Sequence, residues 1–155
     1  MQKELQIGKT KWINIQAPDK ETIDKLAQEY HFHEMIIEDI LDINAQSKID
    51  TSNDHFFMAL TFTKYLPEEH RYTFNEMDVI IGENLIITTT GLESEKMSMV
   101  FEEMTKKAAN MKGSYKESPY YILYKIIDAF YDKTLKSLAI SSQKLLDIQT
   151  NIGKN

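Results

Sequence analysis

The sequence predicts an α/β fold, a mixed parallel/antiparallel sheet flanked by helices (an αβα sandwich) with a long C-terminal helix. Three observations predict it. Three apolar runs rich in Phe, Ile and Thr lie close together between residues 55 and 90, separated by turn residues, as in an antiparallel meander. A further run, Trp12-Ile13-Asn14-Ile15, reaches them only through helical segments, which favours a parallel crossover. After Gly91 the apolar spacing becomes that of helices and stays so.

Taken in order, residues 12–15 read as a short strand closed by Ala17-Pro18. Asp19 can cap the helix that follows, where Ile23, Leu26, Ala27 and Tyr30 stand at i, i+3, i+4 and i+7. A second short helix covers 34 to about 41, and the polar stretch 43–54 reads as a loop. Residues 55–65 form a strand, turned by Leu66-Pro67-Glu68-Glu69-His70 into a second over 72–81. Gly82-Glu83-Asn84 connects to a third over 85–90. Met97, Val100, Phe101, Met104, Ala108 and Met111 form one helical stripe, capped near Ser94 and stopped at Gly113. Ser118-Pro119 is an N-cap and N1 pair. Nothing interrupts the helix from there to Ile152, with Gly153 as its C′ residue; at roughly 30 residues it far exceeds the usual mean of about 11–12. Leu123, Ile127 and Phe130 are expected to cover the sheet. Tyr124, Tyr131, Leu138, Leu145 and Ile152 recur every seven residues, a spacing suited to packing along another helix. The chain is expected to be one domain over 1–155, an α/β part (1–113) followed by the long helix (114–155).

Composition narrows the function. The 155 residues hold 18 basic and 24 acidic side chains, a net charge of −6, so nucleic acid is not expected as a partner and cations are favoured. There is no cysteine, hence no disulfide, thiolate zinc site or cysteine nucleophile. The first residues mix Lys and Glu with single apolar residues and do not read as a signal peptide. The longest apolar runs, Met35-Ile36-Ile37 and Val79-Ile80-Ile81, fall far short of the ~18 residues that span a bilayer.

The segment Ile37-Glu38-Asp39-Ile40-Leu41-Asp42 carries the most chemistry. At 100° per residue Ile36, Ile37, Ile40 and Leu41 share one face, while Glu38, Asp39 and Asp42 share the other. Three carboxylates on one arc repel unless something positive sits between them, and hard cations such as Mg²⁺ take such oxygen ligands. The segment alone reads equally as a solvated polar face, and a cation site would need a second surface. Asp128 and Asp132 form a like-charge i,i+4 pair that Lys125 and Lys136 can offset. His31 and His33 suit helix capping or packing rather than a metal pair. Asp50-Thr51-Ser52-Asn53-Asp54 begins like a calcium loop but lacks its Gly and its Glu at position twelve. No phosphate-binding glycine motif is present, and no catalytic residue or enzyme activity is expected.

The segment Tyr30-His31-Phe32-His33-Glu34-Met35-Ile36-Ile37-Glu38-Asp39-Ile40-Leu41-Asp42 resembles the cytoplasmic domain of CorA-type magnesium (divalent cation) transporters. That family reads aromatic-x-x-His-Pro-Leu-x-x-Glu-Asp-Ile-Leu here, followed by a Gln-Arg-Pro-Lys loop and an acidic residue; Ala45-Gln46-Ser47-Lys48-Ile49-Asp50 occupies the loop. Residues 12–15, residues 55–62 and Tyr120-Tyr121-Ile122-Leu123-Tyr124-Lys125-Ile126-Ile127-Asp128 agree in order, so the resemblance covers nearly the whole chain. Glu34 and Ser47 stand where the family has prolines.

The resemblance implies a cytoplasmic Mg²⁺-sensing and gating domain, at the cytoplasmic face of the cell membrane, of a protein whose stalk helix, two membrane helices and Gly-Met-Asn pore signature are not in this sequence. It implies a pentamer, with the domain's own stalk and transmembrane region and neighbouring subunits as partners. Divalent cations, with Mg²⁺ as the regulatory ion, would bridge subunits between this domain and a stalk aspartate. The matching positions are Glu38, Asp39 and Asp128. Alternatives are the equivalent domain of a zinc or other divalent cation transporter, a stand-alone acidic α/β module whose long helix docks a partner helix, or an enzyme with a deep pocket around residues 38–42.

Overall fold

The structure is a computed structural model that describes residues 1–42, 47–52, 54–66 and 68–152. The Ala45-Gln46 part of the family-like loop, Asn53, Pro67 and the expected cap Gly153 lie outside the described residues.

Six strands form one sheet: β1 (Gln2–Ile7), β2 (Thr10–Gln16), β3 (Lys48–Ser52), β4 (His55–Leu66), β5 (Arg71–Gly82) and β6 (Leu85–Thr90). Their order is β1-β2-β6-β5-β4-β3. The meander β4-β5-β6 is antiparallel, and β2 joins it parallel to β6, Trp12 facing Ile86. The mixed sheet with its crossover is as expected. Two edge strands are not. β1, absent from the sequence reading, forms a hairpin with β2, and Gly8 at φ +55° supplies the positive φ of its two-residue turn. β3 pairs with β4 inside the stretch expected to be a loop. Both are the outermost strands. A strand open to solvent on one side can carry the Lys, Glu, Gln and Asp that read as loop.

Helices cover both faces. α1 (Lys20–Tyr30) and α2 (Glu34–Leu41) lie over one, where Ile13, Ile15, Leu26, Ile36, Phe57, Ile80 and Ile87 make a core. α3 (Glu95–Ala108) and α4 (Pro119–Ile152) lie over the other, around Trp12, Met77, Val79, Ile86, Phe101, Ile122 and Ile126. Neighbouring residues along a strand alternate between these cores, as the strand period of two requires. The caps agree with the sequence. Asp19 accepts from the Thr22 amide at 2.8 Å, and Ser94 from that of Met97 at 3.3 Å. Gln16 ties α3 to the sheet, accepting from the Ser94 amide and donating to the Ser98 hydroxyl.

Two helix details differ from expectation. α3 ends at Ala108 rather than at Gly113. The amides of Asn110 and Met111 close shorter turns onto Lys107 and Ala108, yet Met111 stays buried, which is why its apolar spacing carried on. On α4 the residues sealed against the sheet are Ile122, Ile126 and Phe130, with Leu123 and Ile127 only half-buried. Phe130 packs on Phe62 with ring centroids 4.7 Å apart. The seven-residue series Tyr124, Tyr131, Leu138, Leu145 and Ile152 is exposed throughout.

Candidate functional site

α2 is placed by its ends and by one apolar face. His31 closes α1 in the left-handed conformation, its amide donating to the Ala27 carbonyl. His33 then caps α2, its Nδ1 accepting from the Met35 amide at 3.2 Å. Both histidines thus stand at helix ends, His31 closing α1 through its backbone as a C-cap and His33 capping the N-terminus of α2 rather than a C-terminus. Ile36 is sealed in the core while Ile37 and Ile40 are half-buried, so Glu38 faces solvent and Asp39 lies at the helix flank.

The positive group that the acidic arc requires is supplied by the chain itself. Lys48, at the start of β3, places Nζ 2.5 Å from Asp39 Oδ2. The same ammonium sits 5.8 Å from the centre of the Phe57 ring. Its pKa is held above the usual lysine value, first by the Asp39 hydrogen bond and further by the charges of Asp39, Asp50 and Asp42.

Asp128 stands elsewhere. It is exposed on α4, 3.5 Å from Lys125 Nζ, beside a shallow cleft between α3 and α4 that also takes in Lys96, Glu103 and Asp132. Its helix packs on the Trp12 face, whereas α2 packs on the opposite face, so the sheet separates Asp128 from Glu38 and Asp39. The fold therefore brings Glu38 and Asp39 together and leaves Asp128 apart. Among the described residues no three Asp, Glu or His side chains gather closely enough to hold a metal ion. The three predicted residues of one chain do not enclose Mg²⁺. Asp50 and Thr51 lie in a strand, in keeping with rejection of the calcium loop.

Two acidic residues were missed by the sequence reading. Asp78 on β5 is 4% exposed. Its Oδ2 accepts from the Thr89 hydroxyl at 2.9 Å, and its Oδ1 has no hydrogen-bond partner. Burial, aided by the charges of Glu76 and Asp39, pushes its carboxyl up to about 7. Glu76 is raised too, by burial and then by Asp42 and Asp39. The signal was present in the alternation. Glu76 and Asp78 are in phase with Ile80, on the face covered by α1 and α2. A cleft opens beside Asp42 and these two residues and is lined by Ile40 as well, while Glu38 and Asp39 do not line it.

Among the described residues no helix is long and apolar enough to cross a membrane. The chain is 24% identical over 123 residues to the cobalt/magnesium transport protein CorA of Thermotoga maritima, an alignment covering 78% of this chain and 34% of that protein. It thus spans about a third of that curated relative's length. The fold matches the soluble domain of CorA from Methanocaldococcus jannaschii with a TM-score of 0.65 at 17% identity, covering 90% of this chain and 55% of that one. It also matches the ZntB cytoplasmic domain from Vibrio parahaemolyticus with a TM-score of 0.60 at 14% identity, covering 89% and 54%. These likenesses establish the mixed sheet, its flanking helices and the long C-terminal helix as a shared fold. The family model described as a CorA-like Mg²⁺ transporter protein matches residues 8–155. With that match running from the turn after β1 through α4, the chain belongs to the CorA-like Mg²⁺ transporter family, a family of transporters rather than enzymes.

Proposed function

We propose that this chain is the cation-responsive regulatory domain of a divalent cation transporter, with Mg²⁺ as the regulatory ion and with sites completed between neighbouring copies. The observation that carries the reading is the separation of Glu38 and Asp39 from Asp128 by the full thickness of the sheet. Carboxylates on two outer faces of one subunit cannot close on one ion, but they are suitably exposed to meet a second subunit or a stalk segment. In this reading Glu38 and Asp39 form half of a site, and Asp128 belongs to the other half, presented by a neighbour. With a cation between them, carboxylates of adjacent copies are held together and the ring stays closed. With the sites empty, their repulsion favours a splayed, conducting arrangement, and the difference in cation affinity between the two states sets the bias.

Lys48 gives the site its threshold. A partly covered ion pair such as Asp39–Lys48 contributes on the order of 1 kcal/mol, so a divalent cation offered several carboxylates can displace the ammonium. Two variants in the whole transporter test this through Mg²⁺ inhibition of uptake. Asp39→Asn should leave uptake running at Mg²⁺ concentrations that shut the parent. Lys48→Met should act in the opposite direction, shutting uptake at lower Mg²⁺, because Asp39 is then unpaired. Inhibition unchanged in both would return Glu38 and Asp39 to a solvated polar face. A loss of inhibition in both would show that Asp39 only anchors β3 through Lys48.

The likeness to a ZntB domain supports a second reading in which the regulated ion is zinc. An all-oxygen set suits Mg²⁺ better than Zn²⁺, which favours nitrogen and sulfur ligands. Inhibition by micromolar Zn²⁺ and not by millimolar Mg²⁺ would reverse that preference.

A further inference from the structure

We propose that the cleft between α2 and the β4-β5-β6 sheet is a binding site for an alkylammonium group, held by Asp78 and Glu76. The cleft measures about 460 Å³, within the usual range for small-molecule sites. Its floor is Asp78 with Thr89, and Glu76 and Asp42 stand along its wall. Among the described residues no lysine or arginine lines it. Lys48, the nearby cation, is paired with Asp39.

Two features point to a ligand rather than to an ordinary acidic surface. Asp78 is almost wholly buried, yet one of its oxygens has no partner. An unsatisfied buried carboxylate oxygen is costly, and here the side chain of the nearby Glu76 is also without an ion-pair or hydrogen-bond partner among the described residues. The missing complement is a positively charged donor.

The rest of the lining says which kind. The three carboxylates do not approach closely enough to ligate a bare metal ion. The upper walls and rim are apolar, formed by Pro18, Ile40, Phe74 and Leu92, with Phe74 71% and Leu92 70% exposed. A hydrated metal ion gains nothing from such walls. An ammonium on a short alkyl chain satisfies both parts, its methylenes against Ile40 and the Phe74 ring and its N–H groups on Glu76 and, after a side-chain shift that uncovers it, on Asp78 Oδ1. Face-on contact of the cation with that ring would add to the attraction. The same chemistry is carried by a free diamine and by a lysine side chain. The site uses neither Glu38 nor Asp39 and stands whether or not the regulatory reading above holds.

The 155-residue chain can be titrated at pH 8 with 1,4-diaminobutane, Nα-acetyl-lysine amide, 1,4-butanediol and MgCl₂, reading amide shifts by NMR. The expected result is a saturable shift of Glu76, Asp78, Thr89 and Gly91 with one or both amines and none with the diol. Tighter binding of the diamine assigns a free amine as the occupant, and tighter binding of the lysine derivative assigns a peptide. Glu76→Gln, at a half-buried position, should weaken amine binding about tenfold, the loss of one charge-assisted hydrogen bond. Asp78→Asn should abolish it, and if that variant does not fold, Glu76→Gln decides. No saturable shift, equal shifts with the diol, Mg²⁺ displacing the amines at equal concentration, or Glu76→Gln binding as the parent would each overturn the proposal.

Discussion

Asp78 shows how one side chain sets a pH dependence for the whole fold. Its carboxyl titrates at about 7 in the native state against 3.8 for a free aspartate, because burial disfavours the charged form. Below the unfolded value both states hold the proton, and the stabilising contribution is fully present. As pH rises between the two values the unfolded chain releases its proton while the native one keeps it, so folding becomes less favourable. Above the native value the contribution is lost. This one group should withdraw stability on the order of 2–4 kcal/mol between pH 4 and pH 8. Asp78→Asn removes the titration and keeps an acceptor for Thr89. Urea unfolding should find the variant close to the parent at pH 4 and more stable at pH 8. A stability difference independent of pH would show that the Asp78 carboxyl titrates no higher in the fold than in the unfolded chain. Natural chains retain destabilising groups of this sort where they have a use, which accords with the amine site proposed for this residue.

At the scale of elements, α4 divides into two halves with different support. As far as Phe130 it shares the core with α3. Further on it is held by the β4–β5 hairpin. The Tyr72 hydroxyl donates to the Ser137 carbonyl at 3.3 Å and meets the Ser141 hydroxyl, and Lys144 Nζ donates to Tyr65 at 3.3 Å while lying over its ring. Residues 142–152 are exposed, Leu145, Leu146, Ile148 and Ile152 among them. An apolar stripe of this kind finds a partner or frays, since a helical turn without tertiary packing is only marginally stable. Hydrogen exchange on the isolated chain should show strong protection over 120–132 and a sharp fall beyond Lys144. Sedimentation should show weak, concentration-dependent self-association that is not pentameric. A stable pentamer with a protected distal helix would mean that assembly needs nothing beyond this chain.

For the whole molecule, the sheet acts as a partition between two acidic surfaces. One carries Glu38 and Asp39, the other Asp128, and each has its own lysine, Lys48 or Lys125. Among the described residues a single copy therefore offers no closed oxygen cage. Calorimetric titration of the isolated chain should find Mg²⁺ binding in the millimolar range, with Ca²⁺ equal within a few-fold, because selectivity between the two depends on cavity size and rigidity. Tight, Mg²⁺-selective binding to the monomer would remove the need for a second copy.

The sequence by itself determined the elements whose signals are local. Asp19 and Ser94 cap helices through bonds to amides three residues away. The meander follows from strand runs and turn residues, and the parallel β2–β6 pairing follows from the helices that separate them. The motif around Glu38 and Asp39 was legible because family likeness resides in a contiguous segment. What sequence alone could not decide depended on contacts across the sheet. Polar edge strands β1 and β3 gain their hydrogen bonds from one neighbour each, which no local pattern announces. The choice of Ile122 and Ile126 over Leu123 and Ile127 keeps Phe130 on Phe62 and follows an i, i+4, i+8 line, a selection made where the helix meets the sheet. Only the tertiary structure brought Lys48 to Asp39 from nine positions away, put Asp128 behind the sheet, and enclosed Asp78. A carboxylate's partners and burial are properties of the space around it, and the chain creates that space only when its layers close.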